Sequence, residues 1–180
     1  MDNGQDELLE QRVRAALDAL GAHYEIVDCD PALADTAAFC AHYGFALDES
    51  ANCIIVAGKG VERTYVACLA LADTRLDVNG LIRKRLGVKR ASFATADETI
   101  TASAGMRIGG VTPFGLPPDM QLWIDQRVVD HTRVIVGGGS RRVKVLVDSS
   151  ALPLIPNADV VVDLARPIDP DPSDAGAAHA

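Results

Sequence analysis

Two glycine-rich segments contain the residues best suited to bind a ligand through main-chain atoms. The first, GGVTPFGLPP at 109–118, has three glycines, three prolines and no charged residue. Glycine lets the backbone approach a ligand closely, and proline fixes the direction in which the chain leaves. We therefore expect the GxxxP part of this segment to hold a carbonyl oxygen or another small polar group with backbone N–H groups. That part consists of Gly109, Gly110, Val111, Thr112 and Pro113.

The second segment, GGGSRR at 137–142, combines backbone N–H groups with a hydroxyl and two guanidinium groups. Such a set of donors suits a phosphate or a ribose. The candidate substrate-binding residues, including a lysine just beyond the segment, are Gly138, Gly139, Ser140, Arg141 and Lys144. Each segment taken alone also fits a tight connection between two strands, and that interpretation stays open at this stage.

Other familiar chemistry is not indicated by the sequence. There is no GxSxG, no GxxxxGK[ST] and no GxGxxG after a predicted strand, which removes the usual P-loop and dinucleotide-binding signatures. The four cysteines show no CxxC spacing and no histidine at zinc-site spacing, so we predict no metal site. We expect these cysteines to be small buried residues in a reducing compartment.

Charge and hydropathy restrict the possible partners. The formal net charge of −8 argues against a protein that binds nucleic acid over its whole surface. Basic residues nevertheless cluster at 83–90 and 140–144, where they could hold one end of a nucleic acid or form solvated faces. No apolar run approaches ~18 residues, and the acidic N-terminal sequence resembles neither a signal nor a transit peptide. We therefore expect a cytoplasmic protein without membrane contact.

Short strands outnumber helices in the predicted arrangement. Periodic apolar residues predict a first helix capped by Asp6 and ending near Leu20. Further helical segments are predicted at 36–43, 78–86, 97–104 and 151–155, with caps at Asp35 or Thr36, at Asp77, at Asp97 and at Ser149 or Ser150. Strands are predicted at 23–28, 52–57, 64–71, 91–95, 121–125, 133–137, 143–148 and 159–164.

Many of these strands follow one another without an intervening helix. This order predicts an α/β fold of the α+β type, with a mixed, largely antiparallel sheet and flanking helices. We expect one domain over residues 1–166, which must position both glycine-rich segments. The acidic, proline-rich sequence at 167–180 is predicted to be a disordered tail.

Taken together, GMRIGGVTPFGLPP, LWIDQRVV and VIVGGGSRRVKV resemble the YbaK/EbsC family, freestanding relatives of the editing domain of prolyl-tRNA synthetase. The upstream RLDVNGLIRKRLG also fits the start of a family helix, and the similarity runs from about Leu17 to Leu164. Thr112 lies where relatives often carry serine, and Gly138, Gly139 and Arg141 match the second family loop.

The resemblance implies a deacylase that acts in trans on mischarged aminoacyl-tRNA, hydrolysing the ester between the amino acid and the terminal ribose. It implies that 109–113 is the substrate loop, with no metal or cofactor required. The implied partner is the acceptor end of aminoacyl-tRNA, and prolyl-tRNA synthetase or another translation factor is a further candidate. The alternative is a non-catalytic protein that binds aminoacyl-tRNA or a nucleotide.

One position departs from the family pattern. Relatives carry a functional lysine where this sequence has Asn52, which can form hydrogen bonds but has no positive charge. We predict that Asn52 lies near the GxxxP loop and that N–H groups around Gly110 to Thr112 point into their shared cleft. Strand alternation at 142–144 places Arg142 and Lys144 on one face and Arg141 on the other. Our preferred assignment has Lys144 inward as a substitute cation and Arg141 bracing the loop.

Overall fold

Strands and helices alternate irregularly along residues 3–168, the part of the chain that the computed structural model describes. The α-helices are α1 (Asn3–Ala19), α2 (Thr36–Tyr43), α3 (Arg83–Leu86), α4 (Ala96–Ala102) and α5 (Gln126–Asp130). The strands are β1 (Tyr24–Asp28), β2 (Ala51–Lys59), β3 (Arg63–Leu71), β4 (Thr74–Leu76), β5 (Arg90–Phe93), β6 (Gln121–Asp125), β7 (Arg133–Gly137), β8 (Val143–Asp148), β9 (Ala158–Val161) and β10 (Ala165–Pro167). Short 3-10 helices occupy Pro31–Leu33, Leu47–Glu49 and Ser149–Leu154, and a π-helical turn occupies Val78–Ile82.

The strands form three sheets. The largest has the order β5–β2–β3–β6–β9, with antiparallel pairing from β5 to β3 and parallel pairing from β3 to β9. A three-stranded antiparallel sheet has the order β1–β8–β7, and β10 pairs with β4 in a two-stranded sheet. The predicted fold class is therefore confirmed: antiparallel pairs predominate in a mixed sheet that helices flank.

The largest core cluster joins the two larger sheets to α1. Buried residues on α1 recur at Leu9, Val13 and Leu17, four residues apart, so they share one face of the helix. This face packs onto buried residues of β2, β3, β6, β7 and β8. A second cluster on the other face of the five-stranded sheet is covered by the π-helical turn and by Leu164. Burial on both faces explains why the central strands are nearly continuous apolar runs.

Several predicted boundaries shift in the structure. The first helix begins at Asn3, so Asp6 lies in its first turn and pairs with Arg107 instead of serving as the cap. Helix α4 is capped by Thr95, whose hydroxyl accepts a hydrogen bond from the Glu98 N–H, and not by Asp97. Thr95 and Glu98 form a reciprocal capping box, which provides acceptors for two backbone N–H groups.

The predicted last strand is divided in two. β9 ends at Val161, Asp163 adopts a positive φ of 57°, and the chain then enters β10. The start of the predicted tail is therefore ordered, because Pro167 pairs with Thr74 of β4. Residues 169–180 of that tail lie outside the described residues.

None of the helices within residues 3–168 is both long and apolar enough to cross a membrane. Over the same range, no group of three or more His, Cys, Asp or Glu side chains is placed to hold a metal ion.

A buried carboxylate connects three segments at the end of the central strand β6. The Asp125 side chain is fully buried and accepts hydrogen bonds from the backbone N–H groups of Arg127 and Ala165. It also pairs with the Arg127 guanidinium group, which reaches Asp163 and the Ala165 carbonyl. Asp125 therefore begins α5 as its cap and fixes the start of β10.

We expect Asp125→Ala to lower the free energy of unfolding by about 3 kcal/mol, because it removes a helix cap and leaves buried N–H groups without an acceptor. Urea denaturation monitored by circular dichroism measures this change. Asp48→Ala, at an exposed position in a 3-10 helix, is the matched control. A loss at Asp125 no larger than at Asp48 would contradict the assigned role.

Candidate functional site

A cavity of about 320 Å³ lies beside β2, where this strand lacks a neighbour on one side. β5 pairs with β2 only from Val56 to Lys59, and an isolated parallel bridge joins Ser50, just before β2, to Ile135 of β7. The edge of β2 is therefore open between these two points, and residues 51–55 line the cavity. Segments from α2, α4, the GxxxP loop, β7 and β8 form the other walls.

Most of the lining is apolar. The side chains that enclose the cavity include Phe39, Ile54, Ile55, Val111, Ile135 and Val136. Cys53 also lines it, but burial raises the pKa of its thiol to about 12, so this cysteine supplies no thiolate near neutral pH. The remaining polar side chains of the lining are those of Asp35, Thr36, Ser50, Asn52, Thr99 and Lys144.

Asn52 faces this cavity together with Gly109 and Val111 of the GxxxP loop, so the structure brings the predicted pair of segments together. The Thr36 hydroxyl donates a hydrogen bond of 2.5 Å to the Asn52 side-chain oxygen Oδ1. This contact orients the amide and leaves both N–H bonds of Nδ2 available as donors. Asn52 thus presents a neutral donor to the cavity.

One of the predicted backbone donors of the GxxxP loop, the Gly110 N–H, is used inside the protein. The Gly110 N–H donates to the Arg107 carbonyl, which closes a turn, and the Gly110 carbonyl accepts a bond from the Gly139 N–H. A methyl group on Gly110 would collide with the Ser140 carbonyl. The prediction that the Gly110 N–H points into the cleft is therefore wrong, because close contact with the second loop uses that group and that space.

The end of the GxxxP segment also turns away from the cavity. Thr112 is fully buried and its hydroxyl has no hydrogen-bond partner within the described part of the chain. Pro113 lines a different, largely apolar groove beside Ala16, Leu20 and the following Phe114. Of the five predicted loop residues, the cavity is lined by Gly109 and Val111.

The second glycine-rich loop mainly supports the first one. The Gly139 carbonyl accepts a bond from the Arg107 N–H, and a methyl group on Gly139 would press against Val13. A methyl group on Gly138 would collide with the Val143 carbonyl. The buried Ser140 hydroxyl donates to Glu10 of α1 at 2.6 Å. These predicted substrate-binding residues do not line the cavity, whereas Gly137, just before them, does.

Arg141 connects three segments at the mouth of the cavity. Its guanidinium group donates to the carbonyls of Pro31 and Ile108 and lies 3.5 Å from the Asp35 carboxylate. Arg141 thus holds the GxxxP loop against the 3-10 helix that precedes α2.

Lys144 lies inside the site, with 7% of its surface exposed. Its Nζ donates to the carbonyls of Ala34 and Gly109 at 2.7 and 2.8 Å and lies 5.6 Å from the centre of the Phe39 ring. Burial lowers the pKa of Lys144 below its usual value, and the charge of Arg141 acts in the same direction. Two of the three donor positions on Nζ are in use, so one position remains for a ligand.

Arg142 does not share a face with Lys144 as the alternation argument predicted. It lies before the first residue of β8, so strand alternation does not apply to it. Its guanidinium group forms a bidentate pair with the Glu10 carboxylate, at 3.1 Å for both contacts. Arg142 therefore attaches the second loop to α1.

Sequence reasoning missed several cavity residues. The sequence predicts Asp35 as a helix cap, whereas in the structure its side chain makes no capping hydrogen bond and lies at the cavity mouth. Thr36, which orients Asn52, and Thr99 of α4 were also missed. The sequence does carry one signal for these residues: Asp35 and Thr36 are two adjacent polar residues at the start of a short helix. Because a helix start needs only one cap, the second polar residue is free for another role.

The depressed pKa of Lys144 leads to a testable dependence of stability on pH. Between the lowered pKa in the folded chain and 10.5, the unfolded chain binds more protons, so the contribution of Lys144 to stability rises with pH. Below the folded-state pKa, the full cost of burying the charge is present. We therefore expect the unfolding free energy of wild type, relative to Lys144→Met, to increase as pH approaches 10.5.

Urea denaturation of both proteins between pH 7 and pH 10.5 measures this difference, with the exposed Lys89→Met as the control. Parallel stability curves for wild type and Lys144→Met would contradict the assignment of a buried ammonium group.

Comparison with known proteins agrees with this geometry. Residues 30–153 match the family described as the aminoacyl-tRNA editing domain. The hypothetical protein APE2540 has a similar structure, with a TM-score of 0.76 and 23% identity over 86% of this chain and 99% of that one. A candidate trans-editing enzyme for prolyl-tRNA synthetase gives a TM-score of 0.72 and 21% identity over 86% of this chain and 95% of that one. These identities show a shared fold, and no curated protein sequence matches the chain significantly.

The family match covers more than half of the chain, including β2, the GxxxP loop and the Lys144 strand. The predicted YbaK-like relationship is confirmed, and it supports a role in tRNA editing. The chain belongs to the aminoacyl-tRNA editing domain family.

Proposed function

We propose that this protein is a deacylase that hydrolyses the ester of mischarged aminoacyl-tRNA in trans. One observation carries the proposal: the Asn52 amide, Gly109 and Val111 of the GxxxP loop and the Lys144 ammonium group surround one largely apolar cavity. A volume of about 320 Å³ lies at the lower end of the range for ligand sites and suits an aminoacyl group better than a whole nucleotide.

The amino-acid side chain would occupy the apolar part of the cavity, between Phe39 and Ile55. This lining favours a small or medium apolar side chain, because a charged one would lose hydration without a partner. The terminal adenosine would lie outside, near the exposed residues Asp35 and Ile108 at the mouth.

In the proposed reaction, water attacks the ester carbonyl carbon and gives a tetrahedral intermediate with a negatively charged oxygen. An N–H group of Asn52 donates to this oxygen, and the Lys144 charge stabilises it across a poorly hydrated site. The intermediate then collapses and the bond between the carbonyl carbon and the ribose oxygen breaks. The ribose oxygen takes up the proton that the water loses, so the products are free amino acid and uncharged tRNA.

Lys144 also has a structural role in this mechanism. Its bond to the Gly109 carbonyl fixes the GxxxP loop relative to α2, which it contacts through the Ala34 carbonyl. Positive charge would thus be supplied from β8 and not from the Asn52 position on β2, where the family resemblance implies a lysine. The proposal further places the protein in the cytoplasm, acting on tRNA charged by prolyl-tRNA synthetase or another synthetase.

The proposal predicts hydrolysis in a screen of mischarged tRNAs. We expect release of a small or medium apolar amino acid from at least one noncognate pair, measured as loss of acid-precipitable aminoacyl-tRNA. Binding of an aminoacyl-tRNA without hydrolysis across the full screen would instead identify a non-catalytic binding protein.

Asn52 provides the sharpest test of the site. We expect Asn52→Ala to lower kcat/KM about 100-fold, because removal of one oxyanion donor costs on the order of 10²–10³ in rate. Asn52→Asp keeps the shape but removes the donor, so a similar or larger loss is expected. Asn52→Lys should retain activity, since it restores a cationic donor.

Thr36→Val tests how the amide is oriented and should produce a smaller loss than Asn52→Ala. Asn79→Ala, an exposed position in the π-helical turn, is the matched control. Wild-type deacylation by Asn52→Ala would rule out the oxyanion role.

A further inference from the structure

Basic side chains from three strands lie side by side near the β2–β3 hairpin, on the sheet face that also carries the cavity residue Ile55. Arg90 of β5 lies directly opposite Lys59 of β2, and Lys59 lies directly opposite Arg63 of β3. Side chains opposite one another in adjacent strands point to the same face. The three residues therefore form a row of cations across three strands, which we call the basic row.

The basic row is unevenly neutralised. Arg63 pairs with Glu98 of α4, whereas Lys59 and Arg90 have no carboxylate within 4 Å among residues 3–168. Like charges directly opposite on neighbouring strands destabilise a sheet. Lys89, next to Arg90, is also exposed and lacks an ion pair over the same range. Glu62, in the hairpin turn, is the nearby acidic residue in sequence. The surface around Lys59, Lys89 and Arg90 therefore remains positively charged, although the protein has a net charge of −8.

The register connects the basic row to the cavity. Side chains alternate along a strand, so Lys59, Ala57 and Ile55 share one face of β2, and Ile55 lines the cavity. Four residues along a strand span about 13 Å at about 3.3 Å per residue. Strand β5 begins at Arg90 and leads to Ala94. The Ala94 N–H donates to the Ile55 carbonyl, and Ala94 also lines the cavity.

A single strand of nucleic acid fits this spacing. At a rise of about 3.4 Å per stacked nucleotide, 13 Å corresponds to the last few nucleotides before a terminal ribose. β5 is the edge strand of its sheet, so no further strand pairs with its outer side. An anionic backbone lying along this edge would offset the repulsion between Lys59 and Arg90.

We propose that Lys59, Lys89 and Arg90 bind the phosphates of the single-stranded 3′ end of an RNA whose terminal ribose is at the cavity. This inference rests on the proposed function for the position of the ester, but it concerns a surface outside the cavity. Of the other cations in the 83–90 cluster, Lys84 is exposed, whereas Arg83 and Arg85 are engaged elsewhere. Arg85 pairs with Asp159 and stacks on Trp123, and Arg83 donates to the Asn79 carbonyl.

The test compares two substrates that differ only in their phosphates. The double variant Lys59→Glu, Arg90→Glu is assayed with aminoacyl-tRNA and with the same amino acid esterified to adenosine. We expect kcat/KM for aminoacyl-tRNA to fall on the order of tenfold or more at low salt, and the rate on aminoacyl-adenosine to stay unchanged. The slope of log affinity against log salt should become shallower by about 1.4, at about 0.7 per single-stranded phosphate contact.

Arg75→Glu is the matched control, because Arg75 is an exposed cation on β4, in a different sheet. The milder double variant Lys59→Gln, Arg90→Gln keeps the test valid if charge reversal disturbs folding, which thermal unfolding reports. An equal loss on both substrates, or no loss on aminoacyl-tRNA, would overturn the inference.

Binding of uncharged tRNA separates this inference from the proposed function. Fluorescence anisotropy with uncharged tRNA requires no hydrolysis, so it tests the surface even if the deacylation screen is negative. We expect the double variant to bind on the order of tenfold more weakly than wild type at low salt, and the Arg75→Glu control to bind like wild type. Equal affinities for all three proteins would refute the surface.

Discussion

The contact between the two glycine-rich loops is the constraint on which the site depends. The Gly139 N–H bonds to the Gly110 carbonyl at 2.7 Å, and the Arg107 N–H bonds to the Gly139 carbonyl at 2.9 Å. At Gly110 and Gly137 a methyl group would collide with backbone atoms of the facing loop. The two backbones can approach this closely only because side chains are absent. This approach sets the position of Gly109, and therefore the distance between the GxxxP loop, Lys144 and Asn52.

Long-range interactions then lock this arrangement. Arg141, Arg142 and Lys144 follow one another closely in sequence, yet they attach to three different parts of the chain. Arg141 reaches the segment before α2, Arg142 reaches α1, and Lys144 reaches the inside of the cavity. A short basic cluster that looks like a solvated face in the sequence thus mainly forms hydrogen bonds and ion pairs within the protein.

The fold was predictable from the sequence to a greater extent than the site. Alternation and turn residues locate most of the strands, although not β4 or the division between β9 and β10, because the pattern depends on burial of one face, which is local in the sequence. The partners of a loop N–H are not local. Gly110 illustrates this limit, because its role depends on Ser140 and Gly139, about thirty residues away in sequence. Asn52 could be placed through the family pattern, whereas its orientation by Thr36 depends on how α2 packs beside β2.

The open edge of β2 has a consequence for hydration. The Ile55 carbonyl bonds to the Ala94 N–H, so in an antiparallel ladder the backbone groups of Cys53, two residues earlier, point to the same side. There they face the cavity, beyond the reach of both β5 and β7. Backbone N–H and C=O groups require partners, so this wall must attract either water or a ligand. Because this strand edge lines a cavity, its backbone groups meet water or a ligand there instead of presenting a free edge for pairing on the outer surface.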